Sequence, residues 1–75
     1  MKERKVVRCY WAGMIIEEHE IQSEREEEHL MESLKKRLTS KQIRFVQFGV
    51  IFILDLLCVD VYEKGVLVAM KNLKA

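Results

Sequence analysis

The sequence predicts a small α+β domain of two layers, with one helix packed on a four-stranded antiparallel or mixed sheet in the chain order β-α-β-β-β. Three observations lead to this class. The 75 residues suffice for one domain, spanning residues 1–75. One segment repeats apolar residues at helical spacing. The remaining apolar segments are rich in β-branched and aromatic residues, which favour strands.

The first predicted strand covers residues 5–16. Side chains alternate between the two faces of a strand, and both faces of this segment are apolar, with Val7 and Cys9 on one face and Tyr10 on the other. A strand that is apolar on both faces is typical of the centre of a sheet. Gly13 within it predicts a bulge or a close approach of another backbone.

The helix is predicted from residue 23 to residue 38. Ser23 and Glu26 have the spacing of a capping box, in which each side chain accepts a hydrogen bond from a backbone N–H group. Acidic residues come early in this segment and basic residues late, which complements the helix dipole. Its apolar residues form one narrow stripe at helical spacing: Leu30, Met31, Leu34 and Leu38.

Residues 43–62 predict two more strands that are separated near Asp55. In one continuous strand Asp55 and Asp60 would point to opposite faces, so a bend or turn at Asp55 is the economical arrangement. The second strand would then direct Leu57, Val59 and Val61 inward and Asp60 outward. A hairpin turn at residues 63–65, closed by Gly65, leads into the last strand.

A membrane helix at residues 46–62 is an alternative interpretation of the same segment. Seventeen residues form a helix of about 25 Å, at the lower limit for a hydrocarbon core of about 30 Å. Asp55 would lie near its middle, where an aspartate costs about 2.5–3.5 kcal/mol. We therefore expect a strand here and do not expect a membrane partner.

The N-terminal segment and the two cysteines predict a cytoplasmic protein. The start is basic and then apolar, as in a signal peptide, but Arg8 interrupts the apolar run and EEHE follows in place of a cleavage site, so we expect mature protein. Cys9 and Cys58 lie in apolar segments, where free cysteine behaves as a small hydrophobe. Pairing between them stays open as a less favoured alternative.

No catalytic or metal-binding pattern stands out, so we expect neither an enzyme nor a cofactor or small-molecule substrate. Cys9, His19, His29 and Cys58 have the ligand types of a zinc site but lack the closely spaced pairs of such sites. The acidic residues near Lys64 lack the acid-x-Lys spacing of metal-dependent nucleases. There is also no glycine-rich phosphate loop.

The excess of apolar surface predicts self-association. One helix with a narrow stripe covers only part of one sheet face, and exposed apolar patches of that size mark interfaces. We therefore expect a non-enzymatic accessory or regulatory protein that binds protein as a homodimer. The expected self-association interface consists of Trp11, Leu57, Val59, Val61, Val66 and Val68.

Nucleic-acid binding is the alternative function. Basic residues surround the aromatic pair Tyr10 and Trp11, and a second basic group lies around the helix end, so the two groups could follow a phosphate backbone. Against this, 13 basic and 12 acidic residues leave a net charge of only +1. The possible contacts are Arg4, Lys5, Arg8, Lys35, Lys36, Arg37, Lys41 and Arg44.

Overall fold

A computed structural model describes residues 4–75, which form one helix and six strands. In chain order the elements are β1 (Lys5–Trp11), β2 (Met14–Ile21), α1 (Glu24–Thr39), β3 (Arg44–Gln47), β4 (Val50–Ile53), β5 (Leu56–Glu63) and β6 (Val66–Lys74).

The strands form a four-stranded sheet in the order β2-β1-β5-β6 and a separate two-stranded sheet of β3 and β4. All neighbouring strands are antiparallel. The α+β class, with one helix and an antiparallel sheet, is confirmed. The element order is β-β-α-β-β-β-β, and it differs from the sequence prediction at two places.

The first difference lies in residues 5–16, which form a hairpin in place of one strand. Trp11 pairs with Met14 across the residues Ala12 and Gly13, whose φ angles are 51° and 77°. Two positive φ angles are typical of a type I′ turn, whose twist matches that of the flanking strands. Gly13 adopts this conformation without strain because it has no Cβ. The predicted bulge at Gly13 is therefore a chain reversal.

The second difference lies between residues 43 and 54, where a single strand was expected. Gln47 pairs with Val50 across Phe48 and Gly49, with φ angles of 52° and 76°. Phenylalanine is an uncommon residue at a position with positive φ, so the apolar run concealed the turn. We call residues 44–53, which comprise β3, the turn and β4, the arm.

The other two chain breaks agree with the sequence prediction. Asp55 is an exposed residue in a bend, and β5 begins directly after it at Leu56. The last hairpin turns at Lys64 and Gly65, so that Glu63 pairs with Val66. A charged residue at each of these two places marks the end of an apolar run.

Side-chain and backbone hydrogen bonds define both ends of α1. The Ser23 hydroxyl accepts the Glu26 N–H at 3.2 Å, and the Glu26 carboxylate accepts the Gln22 N–H at 3.0 Å, one residue before the position of a standard capping box. At the other end Lys41 has φ 59°, and the Gln42 N–H donates to the Arg37 carbonyl at 2.8 Å. This Schellman arrangement ends the helix.

The hydrophobic core lies between α1 and one face of the four-stranded sheet. Leu34 and Leu38 of the predicted stripe are fully buried, while Leu30 and Met31 pack at its edge. The strands and the base of the arm contribute the remaining buried side chains: Val7, Cys9, Ile21, Ile43, Leu54, Leu57, Val59 and Val61. The inward orientation of alternate residues in β5 is thereby confirmed.

The membrane interpretation of residues 46–62 is wrong, because this segment forms the end of β3, the arm turn, β4 and most of β5. Within residues 4–75 no helix has both the length and the apolar character needed to cross a bilayer.

We predict that Leu57→Ala lowers the free energy of unfolding by about 2–5 kcal/mol, because it leaves a cavity in the core. Leu57 is 1% exposed, whereas its neighbour Leu56 points to the opposite face and is 37% exposed. Leu56→Ala is the matched control and should cost less than about 1.5 kcal/mol. Urea titration followed by circular dichroism measures both values, and equal losses would contradict this orientation of β5.

Candidate protein-binding surface

The arm exposes more large apolar side chains than any other element of the described chain. Phe48 at its turn is 95% exposed. Five further side chains are between 38% and 62% exposed: Val46, Val50, Ile51, Phe52 and Ile53. Side chains of this size leave on the order of 600 Å² of apolar surface, the upper end of the range for the largest patch on a monomer.

The base of the arm is attached firmly to the domain. The Trp11 ring lies 5.6 Å from the Phe45 ring and 5.5 Å from the Phe52 ring, measured between centroids. The Leu54 N–H also donates to the Ile43 carbonyl at 2.9 Å. Ile43 and Leu54 are both buried, so the arm has a rigid base and an exposed tip.

The two faces of the arm differ in their surroundings. Phe45 and Phe52 are cross-strand partners on the face towards Trp11. Val46 and Ile51 are partners on the opposite face, where side chains alternate with those facing the domain. Arg44 is the one charged residue within the arm, so water has few polar groups to solvate along most of its length.

The edge strand β6 is a second exposed surface, of mixed character. Val66, Val68 and Met70 are between 54% and 73% exposed. However, Lys71 pairs with the buried Val59, so it lies on the core-facing side of an edge strand. Charged residues placed in this way protect an edge from pairing with another chain.

The predicted interface is divided by this structure. Leu57, Val59 and Val61 are at most 1% exposed. This part of the prediction requires correction, because α1 covers the sheet face on which these three residues lie and they present no surface to a second chain. Val66 and Val68 are exposed on β6, and their part in an interface stays a prediction. Trp11 is partly buried against the arm.

The arm was missed at the sequence level as a binding element. Its apolar residues were assigned to a buried strand, since an apolar run alone does not distinguish a buried strand from an exposed hairpin. The signal that could have found it is Phe48-Gly49, a residue pair ending in glycine in the middle of the run.

Acidic partners neutralise the basic group predicted on β1. The Arg4 guanidinium lies 3.1 Å from the Glu20 carboxylate, and that of Arg8 lies 2.9 Å from the Glu18 carboxylate. The Lys5 ammonium lies 3.9 Å from the carboxylate of Glu27 on α1. The β1 group therefore belongs to a surface of alternating charge.

The second basic group, around the helix end, is less uniform. Arg37 donates two hydrogen bonds to the Glu17 carboxylate, at 2.6 and 3.1 Å, and these tie α1 to β2. The other members are exposed and form no ion pair within residues 4–75: Lys35, Lys36, Lys41 and Arg44. The structure thus leaves one small basic patch at the end of α1.

The sheet face opposite α1 carries aromatic and charged side chains. The Arg8 guanidinium lies over the Tyr62 ring, 4.9 Å from its centroid, an arrangement that stabilises the cation. Arg8 is paired in register with Glu18 on one side and Asp60 on the other. The two carboxylates beside this Arg8–Tyr62 pair disfavour a bound phosphate.

A polar cluster beside the core perturbs two titrating groups. The Glu17 carboxylate accepts hydrogen bonds from Arg37 and lies 2.8 Å from Nε2 of His19. The bonds from Arg37 hold the pKa of Glu17 below its ordinary value. Burial beneath this cluster raises the pKa of the Cys9 thiol to about 11, with a smaller contribution from the Glu17 charge.

Residues 4–75 contain no group of three or more His, Cys, Asp and Glu side chains arranged to hold a metal ion. Both cysteines have free thiols, with Cys9 buried and Cys58 exposed. Comparison with protein-family models, with curated proteins and with solved structures found no match.

We predict that the two thiols react at very different rates with a disulfide reagent such as Ellman's reagent. Cys58 is exposed and should react quickly, whereas the high pKa and burial of Cys9 suppress its thiolate. The Cys58→Ser variant should lose the fast phase. Unfolding by denaturant should expose Cys9, so that it reacts as fast as an ordinary thiol. Two equally fast phases in the folded protein would contradict the burial of Cys9.

We predict that Glu17 contributes to acid unfolding. A carboxylate with a lowered pKa stabilises the folded state above its ordinary value of 4.5, and this stabilisation is lost as the pH falls through the pKa of the folded state. Glu17→Gln should therefore show a smaller decrease in unfolding free energy between about pH 6 and pH 2 than the parent protein. Glu28→Gln, on the exposed side of α1, is the control and should follow the parent protein.

Proposed function

We propose that this chain is a small non-enzymatic accessory or regulatory protein that acts by binding protein, and that it does so as a homodimer. The observation that carries the proposal is the arm, with Phe48 95% exposed at its tip and five more apolar side chains beside it. The apolar surface of the arm reaches the upper end of the range for the largest patch on a monomer, and patches of that size often mark a binding surface.

The structure of the arm also indicates that contact with another protein would stabilise it. A two-stranded sheet is marginally stable in water because each strand leaves one edge unpaired. Within residues 4–75 no third strand pairs with the arm, and its tip is exposed. Contact with protein would stabilise both its backbone edges and its side chains, and aromatic residues are the type that most often dominates such contacts.

The size of the chain supports a homodimer in particular. A domain of 75 residues buries only about 60–65% of the surface that its unfolded chain exposes, so small domains commonly gain stability from a partner. Standard interfaces bury about 800 Å² per partner, and the exposed side chains of the arm could supply part of such an area. Two-fold dimers are the commonest assembly of identical chains.

Nucleic-acid binding has less support. Arg4, Lys5, Arg8 and Arg37 each lie within 3.9 Å of a carboxylate, so their charges are neutralised on the protein itself. A phosphate backbone would have to displace these ion pairs, and the remaining basic patch is small. Trp11 is partly buried against Phe45 and Phe52, so it is engaged within the protein.

We predict that light scattering at micromolar concentration gives about twice the chain mass of 8.9 kDa and that dilution lowers this mass. The melting temperature should rise with protein concentration, because association stabilises the folded state by mass action. A single chain mass at every concentration tested, with a concentration-independent melting temperature, would contradict the homodimer.

A fluorescence titration with a generic oligonucleotide tests the alternative in the same preparation. We expect no binding at about 50 mM salt, where phosphate contacts are strong. Binding that weakens steeply with added salt and is lost in Lys36→Glu would favour the nucleic-acid function instead.

A further inference from the structure

We propose that the occupant of the exposed arm is the arm of a second copy, with the two β4 strands paired antiparallel about a two-fold axis at Phe52. The inference rests on the proposed homodimer and identifies its interface.

β4 has backbone N–H and C=O groups that point away from β3 and form no bond with it. Gln47 and Val50 flank a two-residue turn, and such a pair exchanges both of its hydrogen bonds. Pairs alternate along an antiparallel ladder, so Phe45 and Phe52 also exchange bonds, and the Leu54 N–H bond to Ile43 continues the pattern. The N–H and C=O groups of Ile51 and Ile53 therefore point away from β3.

A second β4 satisfies these groups completely. With the axis at Phe52, Ile51 of each copy lies opposite Ile53 of the partner, and the two residues exchange both backbone bonds on each side of the axis. Pairing between identical antiparallel strands is symmetric by construction, so one geometry satisfies both chains and closes the assembly at two.

The charges of the edge strands also favour pairing through β4. β4 is the one edge strand of the described chain without a charged residue. The edge strand β2 carries Glu17, Glu18 and Glu20, and β6 carries Lys71 and Lys74. Like charges would meet if either of those strands paired with its own copy. No such repulsion opposes β4.

The proposed pairing also places Phe48 of each copy against the partner. In this register the tip of one arm lies beside the base of the other, next to Leu54 and Asp55 of the partner. A cavity of about 310 Å³ opens at that base, lined in part by Leu38, Ile53 and Leu54. It is large enough for one aromatic ring. Thr39, Lys41 and Asp55 also line it, so Phe48 would enter along its apolar side. The same pairing combines Val46, Ile51 and Ile53 of both copies into one aliphatic face, which enlarges the surface available to a partner protein.

The residue type at the tip supports a binding role for Phe48. Its φ of 52° is the first position of a type I′ turn, where asparagine, aspartate and glycine are preferred. An aromatic residue there is unfavourable for the turn and unfavourable in water. Both costs are offset if the ring is buried in an interface.

Cysteine cross-linking tests the register. In a Cys58→Ser background, Ile51→Cys and Ile53→Cys proteins are prepared separately and then mixed under mild oxidation. Because these positions face each other across the axis, about 5.5 Å apart between Cα atoms, the mixture should form a reducible dimer and each protein alone should form at least about tenfold less. Cross-linking of Ile51→Cys alone, or of neither sample, overturns the register.

Paired substitutions test the interface itself. Ile51→Lys should raise the dimer dissociation constant at least about tenfold, since each copy would place a charge in the interface, while Val66→Lys on β6 should change it less than about threefold. The two side chains have similar exposure, 59% and 62%. If the wild type is a dimer but Val66→Lys weakens it more than Ile51→Lys does, the arm is not the interface, although the homodimer itself is supported. A wild type that is monomeric throughout overturns the homodimer, and a mass that grows beyond two chains overturns the closed two-fold pairing.

A turn substitution separates folding from binding. Phe48→Asn introduces a preferred turn residue, so the stability of the monomer should stay the same or rise, whereas the dissociation constant should rise at least about tenfold. Ala12→Asn is the matched control at the same position of the β1–β2 turn, where φ is 51°, and should leave dimerisation unchanged. An unchanged dissociation constant in Phe48→Asn contradicts the seating of Phe48 in the partner.

Discussion

The packing of a single helix on one sheet face is the constraint on which the rest of this structure depends. Leu34 and Leu38 of α1 meet Val7 and Cys9 of β1 and the inward residues of β5. Ile21 of β2 and Leu73 of β6 also pack against this core, so all four strands of the sheet contribute to it. Outside this core, ion pairs connect β1, β2 and α1, and the arm exposes apolar side chains.

Charge pairs stabilise the β2 side of the sheet. Glu17, Glu18 and Glu20 each accept a basic side chain from a neighbouring element. These pairs are partly exposed, so each contributes little to stability. Their larger consequence is that the β2 edge is polar and unsuited to pairing with another strand. The arm has the opposite character, because its base is fixed by Trp11 while its tip is apolar and uncovered.

Much of the fold follows from local patterns in the sequence. The helix, with its Ser23 cap and apolar stripe, depends on contacts within a few residues of each other. Such local contacts can be predicted from the sequence. The break at Asp55 and the turn at Gly65 follow from a charge or a glycine at the end of an apolar run. The sequence does not reveal the hairpins at Gly13 and Gly49, because their turns contain Ala12 and Phe48, which are not typical turn residues.

The sequence by itself determined the fold class, the helix, the alternation of β5 and the excess of apolar surface over what one helix covers. Only the tertiary structure decided where that excess lies. Leu57, Val59 and Val61 are as apolar as Val46, Ile51 and Ile53, yet the first three are buried and the second three are exposed. The difference arises because β5 is a central strand of the larger sheet, whereas β3 and β4 form a separate two-stranded sheet among residues 4–75. Burial depends on which elements pack together, and hydrophobicity along the chain does not specify those contacts.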